Sequence, residues 1–96
     1  MSTVAIEGRI TVNNSDEMRR KLLAALRSRP AQMTVDLSQA SYMDSSGLAT
    51  LLEAVRIARR QGTRLTLAGV SGQPRNLFEV AQLDRLFEFA RQETSE

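Results

Sequence analysis

Apolar and polar residues alternate over residues 3–10, with Val4, Ile6 and Ile10 on one side, and this predicts a strand. Gly8 within that run predicts a bulge or bend. The period then lengthens. Met18, Leu22, Ala25 and Leu26 recur at helical spacing, while Arg19, Arg20 and Arg27 fall off that face. Asn13, Asn14 and Ser15 are N-cap candidates, Asp16 and Glu17 suit the positive end of the helix dipole, and Pro30 stops the helix. Residues 33–37 form a short apolar run, predicted to be a strand buried on both faces. A second helix is predicted from about Ser46, which would also be its cap. Leu48, Leu51, Leu52, Val55 and Ala58 make its inner stripe, Glu53, Arg56, Arg59 and Arg60 face water, and Gly62 stops it. Residues 65–68 alternate as a strand, and residues 69–74 read as a loop with Pro74 near the first position of a third helix. Leu77, Val80 and Ala81 would form the inner face of that helix. Leu83, Leu86, Phe87 and Phe89 read as a last turn and a short strand, and residues 91–96 as a polar tail.

The predicted order is β-α-β-α-β-α-β. Strands alternating with helices imply right-handed crossovers and an α/β domain with a short, mostly parallel sheet. With 96 residues the chain is expected to form one domain, its core spanning about residues 3–90. No apolar run reaches the roughly 20 residues that cross a bilayer, and no leader segment is visible, so a cytoplasmic location is expected.

Composition narrows the chemistry. The chain contains no cysteine and no histidine, so thiol nucleophiles, disulfides and Ser–His–Asp catalysis are excluded within it. Neither a cofactor nor a metal is expected. Asp36 and Asp44 could suggest a magnesium-dependent phosphotransfer pair, but such a site wants more oxygen ligands and a nearby lysine. Lys21, the single lysine, lies mid-helix, so Asp36 reads as a structural hydrogen-bonding residue and no enzyme is expected. The sequence pI is about 9.9, yet the formal net charge is only +2 and basic residues interleave with acids. That spread, with aromatics at 4%, argues against nucleic-acid binding.

The segment Tyr42-Met43-Asp44-Ser45-Ser46-Gly47-Leu48 carries the candidate chemistry. It reads as a short polar loop between the strand of residues 33–37 and the second helix, whose free N–H groups and dipole favour an anion there. A hydroxyl there, at Ser45, is placed to become a phosphoester, and Asp44 could cap the helix or orient Ser45. Read alone, the same residues also describe an ordinary capped turn.

Val35-Asp36-Leu37-Ser38, followed by Met43-Asp44-Ser45-Ser46-Gly47-Leu48 and a leucine-rich helix, resembles the STAS domain, most of all its bacterial anti-sigma-factor antagonist branch. Gln61-Gly62 and Asn76-Leu77-Phe78 extend the similarity, which covers roughly residues 6–89. The resemblance implies that Ser45 is phosphorylated by a partner that is both anti-sigma factor and serine kinase. It further implies that the unmodified form binds this partner and that a phosphatase resets the switch. The expected contact surface comprises Met43, Asp44, Ser45, Ser46, Gly47 and Leu48, with Thr11, Asn13 and Asn14 as an adjoining edge. Three departures from the family pattern stand out. Gly8-Arg9-Ile10-Thr11 replaces the common Gly-Glu-Leu-Asp, a leading strand is expected to be missing, and the last helix is expected to be truncated. Short chains of this kind also resemble the accessory subunit of bacterial ABC-type lipid transporters, whose partner would be an ATPase or permease. Those relatives often carry threonine after the aspartate.

Overall fold

The computed structural model describes residues 2–90. In chain order the elements are β1 (Ser2–Ala5), β2 (Gly8–Ile10), α1 (Ser15–Arg27), β3 (Gln32–Asp36), β4 (Ala40–Met43), α2 (Ser45–Gln61), β5 (Arg64–Ala68), α3 (Gly72–Val80) and β6 (Glu88–Phe89). Strands β1, β3, β5 and β6 form one sheet in that order, and β2 pairs with β4 in a second. Every pairing is parallel, as the alternation of strands and helices requires. Among the described residues no helix is long and apolar enough to cross a membrane.

The first predicted strand is in fact two. Ile6 N–H still donates to Asp36 O of β3 at 3.0 Å, but Gly8 N–H donates to Gln39 O at 2.9 Å. Gly8 makes this change of partner at φ +80°, a conformation that costs glycine little. The chain thus leaves the larger sheet and begins the smaller one, so the run of residues 3–10 supplies a strand to each. Its other partner, β4, is a strand where a loop was expected. With four residues and one fully buried side chain, Met43, it is too short to announce itself by alternation.

Strand β3 is buried on one face, not two. Met33 and Val35 are fully buried with Leu65 and Leu67 of β5, in the cluster that also holds Leu22 and Leu26 of α1 and Leu51 of α2. Thr34 and Thr66, paired in register, lie on the other face with their hydroxyl oxygens 3.4 Å apart. The helices take the apolar side, and the threonine side is left half-exposed.

Helix α1 buries Met18, Leu22 and Leu26 as its spacing predicts. Asn14 occupies its N-cap position without a side-chain cap bond, since the amide is engaged within the preceding loop. Helix α2 buries Gly47, Thr50 and Ala54 in addition to Leu48, Leu51, Val55 and Ala58, and ends at Gly62 with φ +81°. Helix α3 begins at Gly72, before Pro74, and of its predicted inner face only Leu77 packs, half-buried, against the core. Val80 is 81% exposed and Ala81 is exposed, while Pro74 and Phe78 are buried. Aromatic packing sets that rotation: Phe78 stacks on Phe87 at 5.2 Å between centroids and leans on Phe89 at 6.0 Å. The predicted polar tail, residues 91–96, lies outside the described residues.

Candidate functional site

The junction of β4 and α2 is built around one carboxylate. Asp44 is the N-cap of α2, and its Oδ1 accepts from Ser46 N–H at 2.9 Å and Gly47 N–H at 3.3 Å. Two of the orphan donors at the helix start are thereby satisfied. The same oxygen accepts from the Ser46 hydroxyl at 2.5 Å. Oδ2 accepts from Val12 N–H at 3.1 Å, so Asp44 also ties down the loop before α1. The expectation that Ser46 caps the helix is corrected: Asp44 caps, and Ser46 Oγ is a donor to the cap. A carboxylate receiving four bonds is favoured in its ionised form. The Ser46 hydroxyl, above all, holds the Asp44 carboxyl below the usual carboxylate range; partial desolvation opposes this and the backbone N–H groups of Gly47, Ser46 and Val12 reinforce it.

The two serines therefore differ in state. Ser46 is half-buried with its hydroxyl committed to Asp44. Ser45, the first residue of α2, is exposed, and its hydroxyl has no hydrogen-bond partner among the described residues. It projects beside the first turn of a 17-residue helix, where the dipole favours negative charge.

The facing loop, residues 11–14, is pre-shaped. Thr11 N–H donates to Asn14 Oδ1 at 2.8 Å, Asn13 N–H donates to Thr11 Oγ1 at 3.2 Å, and Asn14 Nδ2 donates to Arg9 O at 2.7 Å. Its apex is Val12, 72% exposed, which stands beside Asp44 as an uncovered apolar side chain. Reading by residue type singled out the polar neighbours Thr11, Asn13 and Asn14 and passed over Val12. Its place between them, within a turn-forming polar stretch, was the available signal.

Three residues expected at the contact surface are internal. Met43 is fully buried, Leu48 is 7% exposed and Gly47 is buried. Gly47 is required for close packing rather than for contact: a Cβ there would lie 2.7 Å from Ile10 Cγ2 and 2.8 Å from Met43 Cγ. These three position the junction from beneath, and the exposed or half-exposed residues above them are Thr11, Val12, Asn13, Asn14, Asp44, Ser45 and Ser46.

Support also comes from α3. Gln73 Oε1 accepts from Met43 N–H at 2.8 Å and its Nε2 donates to Met43 O at 2.9 Å, so one side chain completes the edge of β4 as a neighbouring strand would. On the outer side of the small sheet the Arg9 guanidinium lies 4.5 Å over the Tyr42 ring. Asp36 is the structural residue expected, accepting from Ser38 N–H at 2.9 Å.

With this geometry in place, the comparisons decide the family. The family model described as "Mlab, STAS domain" matches residues 1–88. The chain belongs to the STAS domain family. It is 30% identical over 87 residues to the anti-sigma-B factor antagonist of Bacillus subtilis strain 168, covering 91% of this chain and 79% of that one. It is 39% identical over 49 residues to the intermembrane phospholipid transport system binding protein MlaB of Escherichia coli K12, which is 51% of this chain and 50% of the other. Among solved structures, the anti-sigma factor antagonist SpoIIAA in its unphosphorylated form superimposes with a TM-score of 0.72 at 18% identity, covering 96% of this chain and 81% of that one. That last likeness establishes the fold, a small α/β STAS domain with a parallel sheet and three helices.

Proposed function

We propose that this STAS domain is a protein-binding switch of the anti-sigma-factor antagonist kind, acting in the cytoplasm and carrying no catalytic activity of its own. Its unmodified form would bind an anti-sigma factor that is also a serine kinase, and phosphorylation of Ser45 would release it. The observation that carries the reading is the difference between the two serines: Ser46 donates to Asp44, whereas the Ser45 hydroxyl is exposed and uncommitted. Transfer from ATP forms a bond from Ser45 Oγ to the γ-phosphorus, releases ADP, and hands the hydroxyl proton to the kinase. The product adds about −1.5 to −2 charges beside Asp44. The dipole of α2 offsets part of that charge, so the domain keeps its fold. A partner packed on Val12, Asp44 and Ser45 meets both bulk and repulsion, and binding falls without refolding. A phosphatase would complete the cycle.

A second reading, an accessory subunit docked on the ATPase or permease of an ABC-type lipid transporter, is favoured by the description of the matching family model and by the MlaB similarity. One experiment separates the two. Wild type, Ser45→Ala and Ser45→Asp are used as baits in native lysate, and phosphate incorporation is mapped by mass spectrometry. Capture of an ATP-binding kinase by wild type and Ser45→Ala, its loss with Ser45→Asp, and phosphate on Ser45 alone are the expected results. Transporter ATPase or permease subunits captured equally by all three would overturn the switch in favour of the docking subunit.

A further inference from the structure

Helices α1 and α2 run side by side in the same direction. Arg19 near the start of α1 pairs with Glu53 of α2 at 2.8 Å, and Gln61 Nε2 at the end of α2 donates to Leu26 O at the end of α1 at 2.8 Å. Their C-termini therefore meet. The segments leaving them are stitched together as well: Thr63 Oγ1 donates to Pro30 O at 2.7 Å and Arg64 N–H to Ala31 O at 2.9 Å. Arginines far apart in sequence are brought to this end: Arg27 closing α1 and Arg29 beyond it, Arg59 and Arg60 in the last turn of α2, and Arg64 opening β5, all exposed. Arg59 Nη2 is held at 3.0 Å by Leu86 O, and the Leu86 side chain, 39% exposed, adds an apolar contact among the cations. Glu88 neutralises Arg64; Arg27, Arg29 and Arg60 have no salt-bridge partner among the described residues. This end lies about 25 Å along α2 from Ser45, by the rise of its 17 residues.

Helix-dipole stabilisation accounts for Arg27, Arg59 and Arg60. It does not account for Arg29. That residue lies beyond the helix with φ +52°, in the left-handed region where glycine or asparagine is the inexpensive choice. A bulky cation kept there at a backbone cost points to a role outside the fold.

We infer that this arginine end is a second interaction surface, for a carboxylate-rich face of a partner protein, separate from the Ser45 junction. Arginine suits that partner, because its planar fork pairs with carboxylates in two-point fashion and tolerates partial desolvation beside an apolar contact such as Leu86. A nucleic acid would need a longer basic track than one helix-pair end, and the formal net charge is only +2.

The test uses the full chain and a fluorescein-labelled oligoglutamate peptide as probe, read by anisotropy at low and physiological salt. Binding should weaken with salt, fall about fivefold in Arg29→Gln/Arg60→Gln, and stay near wild type in Arg20→Gln/Lys21→Gln, which removes the same charge from the outer face of α1. Arg29→Gly supplies a readout that a structural role would not give: the melting temperature should rise as the left-handed strain is relieved, while peptide binding falls. The Ser45→Asp variant should bind the peptide as wild type does. Equal losses in the two double variants, no binding at low salt, binding retained in Arg29→Gly, or tighter binding to phosphatidylglycerol vesicles or duplex DNA than to the peptide would each overturn the inference.

Discussion

The four-stranded sheet and the small β2–β4 sheet meet in one core, yet they are held by different means. In the larger sheet, Met33, Val35 and Leu67 are at most 1% exposed and their alternation repeats on neighbouring strands in register. Burial there is redundant, with many side chains sharing one apolar layer. The small sheet has two short strands and relies on single polar attachments from distant elements. Gln73 completes the edge of β4, Asp44 N–H reaches Ile10 O at 3.0 Å, and the Asp44 carboxylate fastens the loop apex at Val12. The uncommitted hydroxyl of Ser45 and the exposed Val12 both sit on this second kind of construction. The exposed junction is thus placed where a few polar bonds decide the geometry, on a body whose apolar layer supplies most of the stability.

Core truncations should test this division with the largest effect. Leu67→Ala and Met43→Ala each remove a fully buried side chain and should cost about 3 kcal/mol, read by chemical denaturation. They should differ in consequence. At temperatures where both stay folded, Met43→Ala should raise the hydrogen exchange of the Val12 and Asp44 amides, whereas Leu67→Ala should leave it near wild type. Equal protection in both variants would mean that the sheets are one mechanical unit.

Gln73→Ala isolates a single attachment. It leaves Met43 N–H and C=O unpaired in a part-buried edge and should destabilise by about 1–2 kcal/mol. Gln73→Glu keeps the acceptor for Met43 N–H but sets a carboxylate against Met43 O, so it should rescue no more than part of the loss. Full rescue would show that α3 acts through packing alone.

The smallest effect should come from Asp44→Asn, followed as melting temperature against pH. The folded-state pKa of Asp44 is depressed, so its contribution is present above the ordinary carboxylate range and is lost as pH falls through the folded value. The variant should melt a few degrees below wild type at neutral pH, and the gap should close on acidification. Asp36 and Glu53, also held below their usual range, titrate in both proteins and cancel from the difference. A gap that did not vary with pH would show that the charge of Asp44 adds nothing to its role as a hydrogen-bond acceptor.

The sequence by itself determined the parts whose signal repeats within one element. The faces of α1 and α2, the burial of Met33 and Val35, the stop at Gly62 and the parallel α/β architecture all follow from local periodicity and from one glycine free to take a left-handed backbone. The Asp44-Ser45-Ser46-Gly47-Leu48 motif was legible too, as was its place at the start of α2. The tertiary structure alone decided the rest. It divided residues 3–10 between two sheets, made a strand of residues 40–43, turned α3 onto Phe78, separated the committed Ser46 from the free Ser45, and gathered arginines from two helix ends. The physical reason is range. A hydrophobic period is written in neighbours, whereas the partners that fix this junction lie 30 and 32 residues away along the chain, where no local pattern records which polar group will meet which.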